Sequence, residues 1–232
     1  PLPCIVVDDV REWMGPVAAE IYGHPARQLK TIGITGTSGK TTTSYLVEKA
    51  LLDSGKKVGL IGTTGTRING NPIPTSLTTP EAPTLQALLA RMVAEGATHL
   101  VMEVSSHALE LGRVRGIHFD VAAFTNLSQD HLDFHPTMED YFQAKAKLFA
   151  GEQAAERAVL CIDDEWGERM RGVAKSAGHP VTTVATQGAA ATISARQTAT
   201  EATGAQEVAL DYDGANFTFR LPLPGEFNIA NA

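Results

Sequence analysis

The sequence is poor in cysteine, in basic residues and in long apolar runs, and each shortage argues against a class of protein. Two cysteines, Cys4 and Cys161, are too few for a disulfide framework; both lie in apolar strand-like runs, which predicts buried thiols in a reducing compartment. Acidic residues outnumber basic ones, 26 to 19, and a formal net charge of −7 argues against a nucleic-acid partner. No run reaches the roughly 18 apolar residues of a membrane-spanning helix, so we expect no membrane span and a cytoplasmic protein.

Apolar residues are plentiful, and their arrangement favours an α/β fold. With 43% hydrophobic and only 19% charged residues, a chain of 232 residues can bury a sizeable core. Apolar strand-like runs alternate with helical patterns, which predicts a P-loop fold with a doubly wound, mostly parallel sheet. Near the C-terminal end, residues 192–197, 208–212 and 217–221 alternate apolar and polar side chains. This alternation predicts an additional small antiparallel β region.

The first thirty residues have the pattern of a separate segment. Residues 4–7 are apolar and predict a short buried strand. The spacing of Trp13, Val17 and Ile21 predicts an amphipathic helix, and the polar stretch that follows predicts a linker. Residues 1–30 are therefore expected to be the tail of a preceding domain.

A glycine loop between a strand pattern and a helical pattern carries the strongest chemical signal. Gly36 and Gly39 allow backbone N–H groups to point at an anion, Lys40 supplies a positive charge, and Thr41 offers a hydroxyl to Mg²⁺. The loop, G-T-x-G-K-T-T, is shorter than the general pattern G-x-x-x-x-G-K-[ST], whose first glycine is an isoleucine here. The alternative is an ordinary glycine-rich turn. The coincidence of strand, loop, lysine and hydroxyl favours nucleotide binding.

Two polar residues follow later strand patterns. Glu103 ends an apolar run, where an unpaired carboxylate is costly to bury, so we expect a Mg²⁺ ligand beside Thr41. His131 lies in a loop between Asp130 and Asp133, and we expect it near the metal or the γ-phosphate. The alternatives are a capping or salt-bridged glutamate and a hydrogen-bonded loop histidine.

Several blocks occur in the order found in one enzyme family. They are residues 36–42, 78–79, 102–107, 126–135, 141–145 and 223–231. In these blocks the chain resembles the Mur ligases, and the resemblance runs from Lys30 to the last residue. The Met-Glu-Val-Ser-Ser-His and Asn-Leu-Ser-Gln-Asp-His-Leu-Asp blocks resemble the branch that adds the third residue of the peptidoglycan stem peptide. The resemblance implies an ATP-dependent ligase that joins meso-diaminopimelate or L-lysine to UDP-N-acetylmuramoyl-L-alanyl-D-glutamate through an acyl phosphate.

The resemblance also implies roles for individual residues. Carried over by motif, the ATP-binding residues are Gly36, Thr37, Ser38, Gly39, Lys40, Thr41, Thr42, Asn228 and Asn231; the Mg²⁺ ligands are Thr41, Glu103, His131 and Lys145; and the residues that contact the UDP-muramoyl-dipeptide are Thr78, Thr79, Ser105 and Arg113. Lys40, His131 and Lys145 would be catalytic, with Lys145 as a carbamylated lysine. Ser38 stands where the family often has asparagine, and Leu77 and Leu111 replace polar residues at substrate positions.

The same resemblance implies a domain organisation. Residues 1–30 would be the tail of an N-terminal UDP-binding domain, and residues 31–232 the central ATP-binding domain, with the C-terminal domain outside this sequence. Two alternatives stay open. One is a sister ligase, either the enzyme that adds D-Ala-D-Ala or folylpolyglutamate synthase. The other is a non-catalytic nucleotide-binding protein on the same fold.

Overall fold

The computed structural model describes residues 4–75 and 77–232. Its strands are β1 Lys30–Thr35, β2 Val58–Gly62, β3 Gly65–Ile68, β4 Asn71–Ile73, β5 His99–Glu103, β6 Val121–Phe124, β7 Arg157–Cys161, β8 Val181–Ala185, β9 Ile193–Thr200, β10 Gln206–Tyr212 and β11 Ala215–Leu221. Its α-helices are α1 Val10–Ile21, α2 Lys40–Asp53, α3 Ala82–Ala94, α4 Ser106–Glu110, α5 Met138–Ala146, α6 Glu165–Ser176 and α7 Phe227–Asn231, and a 3-10 helix spans Pro25–Gln28.

The described strands form one sheet in the order β11-β10-β9-β8-β7-β6-β1-β5-β2-β3-β4. The pairings from β2 to β9 are parallel, whereas β9, β10 and β11 pair antiparallel at one edge and β2, β3 and β4 at the other. The predicted mostly parallel α/β sheet with an antiparallel region is therefore confirmed. The tight turn of β3 and β4 uses Asn69 and Gly70, both at positive φ.

Helices cover the sheet on both faces, because successive side chains of a strand point to opposite sides. Leu60 and Val101 pack toward α2, whereas Ile61 and Met102 belong to the larger core that α3, α5 and α6 cover. β1 lies between β5 and β6, so its carboxyl end opens at the middle of the sheet. None of the helices in the described residues is long and apolar enough to cross a membrane.

The start of the chain differs from the prediction. Residues 4–7 form no strand, Cys4 is exposed, and Ile5 and Val6 are 86% and 91% exposed, because no described strand pairs with them. Residues 1–3 of the predicted tail lie outside the described part of the chain. The predicted linker is instead a 3-10 helix, and it places Ala26 and Leu29 in the core.

The first helix is confirmed, but the side that it buries is not the apolar one. Trp13 and Val17 are exposed, and the buried residues are Gly15, Ala18 and Ala19. A Cβ on Gly15 would collide with the carbonyl oxygen of Arg115. α1 therefore packs through its small residues against a neighbouring backbone, a contact that apolar spacing does not indicate.

Candidate active site

The glycine loop lies where the sequence predicted it, between the end of β1 and the start of α2. Gly36 and Gly39 have φ angles of +149° and +88°. A Cβ at Gly36 would collide with Thr125 Oγ1, and one at Gly39 with Asn231 Oδ1. The two positions therefore require glycine, both for backbone conformation and for space.

The loop is held by the residues that follow β6. Thr37 N donates a hydrogen bond to Asn126 O at 3.0 Å, and Ser38 N donates to Asn126 Oδ1 at 3.0 Å. Thr125 Oγ1 donates to Ser38 O at 2.7 Å. Asn126 and Thr125 thus fix the loop between two neighbouring strands. In the sequence, Asn126 stands out only as the first residue of the block 126–135.

Lys40 folds back over the loop. Its Nζ donates hydrogen bonds to Gly36 O and Thr37 O, both at 2.9 Å. Burial lowers the pKa of Lys40, and the negative charges of Glu103 and Asp130 oppose that shift. A lysine held at this point can place its positive charge next to a terminal phosphate of a nucleotide bound at the loop.

Lys145 reaches the same carbonyl group from α5. Its side chain is buried, and its Nζ donates to Gly36 O at 2.8 Å and lies 4.4 Å from the centre of the Tyr141 ring. Burial, followed by the positive charge of Lys40, lowers the pKa of Lys145 well below its usual value. Lys147 behaves differently, because its Nζ pairs with Glu110 at 2.6 Å on the surface.

Glu103 is fully buried at the carboxyl end of β5, next to β1. Its Oε1 accepts from Thr63 N at 3.0 Å, and its Oε2 accepts from Thr63 Oγ1 at 2.9 Å. Among the described residues no cationic side chain pairs with it within 4 Å. A buried carboxylate held only by neutral donors fits a Mg²⁺ ion, which protein sites commonly bind through one or two carboxylates together with phosphates and water.

Another proposed ligand, His131, lies nearer to the surface than Glu103. His131 is half-exposed, with φ +53°, and its Nε2 lies 3.6 Å from Asp130 Oδ2. In residues 4–75 and 77–232, no three His, Cys, Asp or Glu side chains meet closely enough to hold a metal ion by themselves. A metal here would therefore need nucleotide phosphates and water as further ligands. The assignment of Thr41, Glu103, His131 and Lys145 to Mg²⁺ stays a prediction.

His131 belongs to a cluster of rings. Its centroid lies 5.1 Å from that of His107, and His107 lies 5.7 Å from His135. His135 is buried with its Nε2 2.9 Å from Ser106 Oγ. Burial is the main cause that lowers the pKa values of His107 and His135, so these two side chains favour the neutral imidazole.

The four residues assigned to the UDP-muramoyl-dipeptide lie together beside Glu103. Thr79 is buried, and its Oγ1 donates to Glu103 O at 2.9 Å and accepts from Ser105 N at 3.3 Å. Ser105 caps α4 through its Oγ, and Arg113 donates to Thr79 O at 3.3 Å and pairs with Glu81 at 2.8 Å. The hydroxyl of Thr79 is thus engaged inside the protein. Thr78 lies nearer to the surface, with its Oγ1 3.2 Å from Thr63 Oγ1.

The two asparagines assigned to adenine lie on α7, against the glycine loop. Thr43 Oγ1 donates to Asn231 O at 3.1 Å, and Asn231 Nδ2 donates to Asn228 Oδ1 at 3.1 Å. A cleft of about 290 Å³ separates α7 and the loop from the ends of β7 and β8. Ser38, Thr42, Asn126, Asp163, Thr186 and Asn231 are among its lining residues.

Sequence reasoning missed two residues at this edge of the sheet. Asp163 follows β7 and accepts hydrogen bonds from Thr186 N at 2.7 Å and Gln187 N at 3.0 Å, which shapes one wall of the cleft. The rule that polar residues collect after parallel strands could have identified Asp163. Thr63 follows β2, and nothing in its local sequence distinguishes it from the threonine beside it.

Comparison with known proteins places the whole arrangement in one family. The model of the Mur ligase middle domain matches residues 34–232. The UDP-N-acetylmuramoyl-L-alanyl-D-glutamate--2,6-diaminopimelate ligases of Corynebacterium glutamicum and Streptomyces coelicolor are 59% and 49% identical over 99% of this chain. The matched regions are 44% and 45% of those two proteins, so the chain spans less than half the length of these curated relatives.

Two solved structures are also similar to this chain. A UDP-N-acetylmuramoyl-L-alanyl-D-glutamate--2,6-diaminopimelate ligase superposes with a TM-score of 0.84 and 30% identity, over 95% of this chain and 46% of that one. The E. coli FolC structure in complex with DHPP and ADP superposes with a TM-score of 0.70 over 99% of this chain and 57% of that one. At 22% identity, that second likeness shows the fold alone.

Proposed function

This chain belongs to the Mur ligase family, and from that premise we propose that the protein containing it is an ATP-dependent ligase acting on UDP-N-acetylmuramoyl-L-alanyl-D-glutamate. The proposed second substrate is 2,6-diaminopimelate, which the names of the relatives from Corynebacterium glutamicum and Streptomyces coelicolor specify. Such an enzyme would serve peptidoglycan synthesis in the cytoplasm, where ATP is available.

One observation supports this function above the others. Lys40 and Lys145 converge on the carbonyl oxygen of Gly36, and the buried Glu103 lies at the end of the strand beside β1. Two lysine side chains and one carboxylate are thus placed around the proposed phosphate-binding loop. Phosphoryl transfer depends mainly on such positioning and charge compensation.

The proposed chemistry has two steps. The substrate carboxylate attacks the γ-phosphorus of ATP, so that an acyl phosphate forms and ADP leaves. The neutral amine of 2,6-diaminopimelate then attacks the acyl carbon, the peptide bond forms, and inorganic phosphate leaves with a proton lost from nitrogen. Lys40 would neutralise charge on the transferred phosphoryl group, and Thr41 and Glu103 would hold Mg²⁺, which supplies further charge compensation.

Substrate-dependent phosphate release by the full-length protein tests this proposal. We expect release only with ATP, the UDP-linked dipeptide and 2,6-diaminopimelate together, and a product whose mass equals the dipeptide plus one diaminopimelate residue. Release with D-Ala-D-Ala or with a folate and glutamate instead would favour a sister ligase. ATP binding without acyl phosphate would favour a non-catalytic protein.

We also propose that Lys145 becomes carbamylated and supplies a carboxylate to the metal. Its burial and lowered pKa support this, because only a neutral amine reacts with CO₂. The carbamate would replace the Lys145 amine, which the positive charge of Lys40 repels when it is protonated, with an anionic ligand beside Lys40.

The Lys145→Ala variant of the full-length protein is expected to form no acyl phosphate, and added short-chain carboxylic acids are expected to restore part of the activity. Lys147→Ala is the matched control, because Lys147 directly follows the last residue of α5 but pairs with Glu110 at the surface. Trapping the acyl phosphate by borohydride reduction measures the outcome. Full activity of Lys145→Ala would exclude the proposed role.

A further inference from the structure

A threonine that no motif marks holds both oxygens of the buried Glu103 carboxylate. Thr63 follows β2, and Glu103 ends β5, the parallel neighbour of β2. The backbone N–H of Thr63 donates to Oε1 at 3.0 Å, and its hydroxyl donates to Oε2 at 2.9 Å. One exposed residue therefore supplies two hydrogen bonds to a carboxylate that has no solvent exposure of its own.

Gly62 and Thr78 also restrict the position of the Glu103 carboxylate and of its partner Thr63. A Cβ on Gly62 would collide with Glu103 Oε1, so the backbone before Thr63 closes directly against the oxygen. On the other side, Thr78 Oγ1 lies 3.2 Å from Thr63 Oγ1. Because the hydroxyl proton of Thr63 points at Glu103, Thr78 is the donor in this second bond. Thr78 therefore bonds to the Thr63 hydroxyl without competing for the proton that it donates to Glu103.

We infer that Thr63 is a positioning residue that fixes how Glu103 presents its oxygens to the divalent cation of the bound nucleotide. The inference rests on the proposed function, which assigns Glu103 to Mg²⁺. Partners that orient a metal-ligating carboxylate tune its affinity, and their loss typically weakens metal binding by about 10- to 100-fold. Thr63 acts through Glu103 and is not itself a ligand in this inference.

The test measures metal binding rather than turnover. Mn²⁺ is the probe, and electron paramagnetic resonance follows its binding to the full-length protein in the presence of a non-hydrolysable ATP analogue. Thr63→Val removes the hydroxyl but keeps the backbone N–H and the β-branched shape, so we expect the Mn²⁺ dissociation constant to rise by about tenfold. Thr63→Ser keeps the hydroxyl and is expected to bind Mn²⁺ within about twofold of the unmodified protein.

Two further variants serve as a negative and a positive control for the loss of Mn²⁺ affinity. Thr64→Val is the matched control, because the Thr64 hydroxyl contacts the hydroxyl of Tyr45 rather than Glu103. It is expected to leave Mn²⁺ affinity unchanged. Glu103→Gln removes the charge of the proposed ligand and is expected to weaken Mn²⁺ binding more than Thr63→Val does.

The outcomes separate the inference from the proposed function. Normal Mn²⁺ affinity in Thr63→Val, with loss in Glu103→Gln, overturns the role of Thr63 and leaves the proposed function intact. Normal affinity in both overturns the metal role of Glu103 and the inference with it. Weak binding in both Thr63→Val and Thr63→Ser shows that the hydroxyl is not the cause, which also overturns the inference. If circular dichroism shows that Thr63→Val is unfolded, Thr63→Ala replaces it under the same criteria.

Discussion

Burial acts in opposite directions on Lys145 and Cys161, two residues near the glycine loop. It lowers the pKa of the Lys145 amine and raises the pKa of the Cys161 thiol to about 12. The cause is the same, because a low-dielectric environment disfavours whichever form is charged. The lysine gains a reactive neutral form, whereas the cysteine loses its reactive thiolate.

This difference predicts how the two cysteines react. Cys4 is exposed, whereas Cys161 is partly buried with a raised pKa, so iodoacetamide at pH 8 is expected to label Cys4 and to spare Cys161. Peptide-resolved mass spectrometry of the native protein measures the labelling. Denaturation in urea should make Cys161 reactive. Equal labelling of both residues in the native protein would contradict the prediction.

Asp120 gives a prediction for acid stability. Burial raises the pKa of Asp120, but hydrogen bonds from the backbone and hydroxyl of Thr31 and from Lys30 outweigh it, so the net pKa lies below 3.8. A carboxyl group whose pKa is lower in the folded state stabilises the protein above its unfolded pKa, and that contribution is lost as pH falls through the folded value.

We therefore expect Asp120→Asn to be less stable than the unmodified protein at pH 7, and the difference to shrink as the pH falls below 3.8. Urea-unfolding midpoints at a series of pH values measure this difference. A difference that stays constant or grows on acidification would show that the charge of Asp120 is not the cause.

At the scale of elements, regular patterns were predicted from sequence and long-range contacts were not. The alternation of strands and helices and the strand-to-helix loop follow from local patterns, and the structure confirms them. The dipeptide Asn69-Gly70 likewise predicts a hairpin turn, which joins β3 and β4 in the structure. The sequence does not indicate β8 as a separate apolar run, because threonines make up two of its five residues. The hydroxyl of Thr183 is buried only because it pairs with Thr192 near the start of β9, a contact that local patterns do not encode.

In the candidate site too, local patterns predict some residues, whereas others matter only through long-range contacts. The order of the loop residues predicted the loop, and the structure brings Lys145, 109 residues after Gly36, to within hydrogen-bond distance of the Gly36 carbonyl oxygen. Thr63 could not be predicted, because its importance comes from the pairing of β2 with β5. The spacing of Leu46, Val47, Ala50 and Leu51 predicts the inner face of α2, and this prediction is wrong at Ala50, which is exposed. The structure buries Glu48 instead.

Glu48 explains how α2 is attached to the hairpin and leads to a prediction. Its Oε1 accepts from Arg67 Nε at 3.0 Å, and its Oε2 also pairs with that guanidinium, which lies over the ring of Tyr45. Glu48→Ala leaves the half-buried guanidinium without its carboxylate, so we expect a loss of about 3 kcal/mol of unfolding free energy.

The double variant Glu48→Leu, Arg67→Met is expected to recover at least about 1 kcal/mol of that loss, because it removes both charges. Lys49→Ala is the control, since Lys49 forms an exposed pair with Asp53 and should change stability by less than about 1 kcal/mol. Urea unfolding of the four proteins measures these values. A Glu48→Ala variant as stable as the control would contradict the proposed attachment.

At the scale of the whole molecule, one edge of one sheet collects side chains from distant parts of the chain. The loop after β1, Glu103 after β5, Asn126 after β6 and Asp163 after β7 all lie at carboxyl ends of parallel strands. That edge is where open α/β sheets bind ligands. The matched relatives, however, are more than twice as long as this chain.

We therefore predict that residues 1–232 alone form no tripeptide product, although they hold the glycine loop with Lys40 and Glu103. Incubation with ATP, Mg²⁺, the UDP-linked dipeptide and 2,6-diaminopimelate, followed by mass spectrometry, tests this. The full-length protein is the positive control. Product formation by residues 1–232 would show that this region is sufficient.

The central position of β1 also determines when the glycine loop can form during synthesis. Thr35, at the end of β1, pairs with Phe124 of β6, and the loop is held by Thr125 and Asn126, roughly 90 residues later in the chain. At about 5–20 residues per second, a ribosome needs about 5–20 s to make that interval. The nascent chain therefore contains the loop sequence several seconds before it contains the residues that shape it. Until then the growing chain has no folded glycine loop.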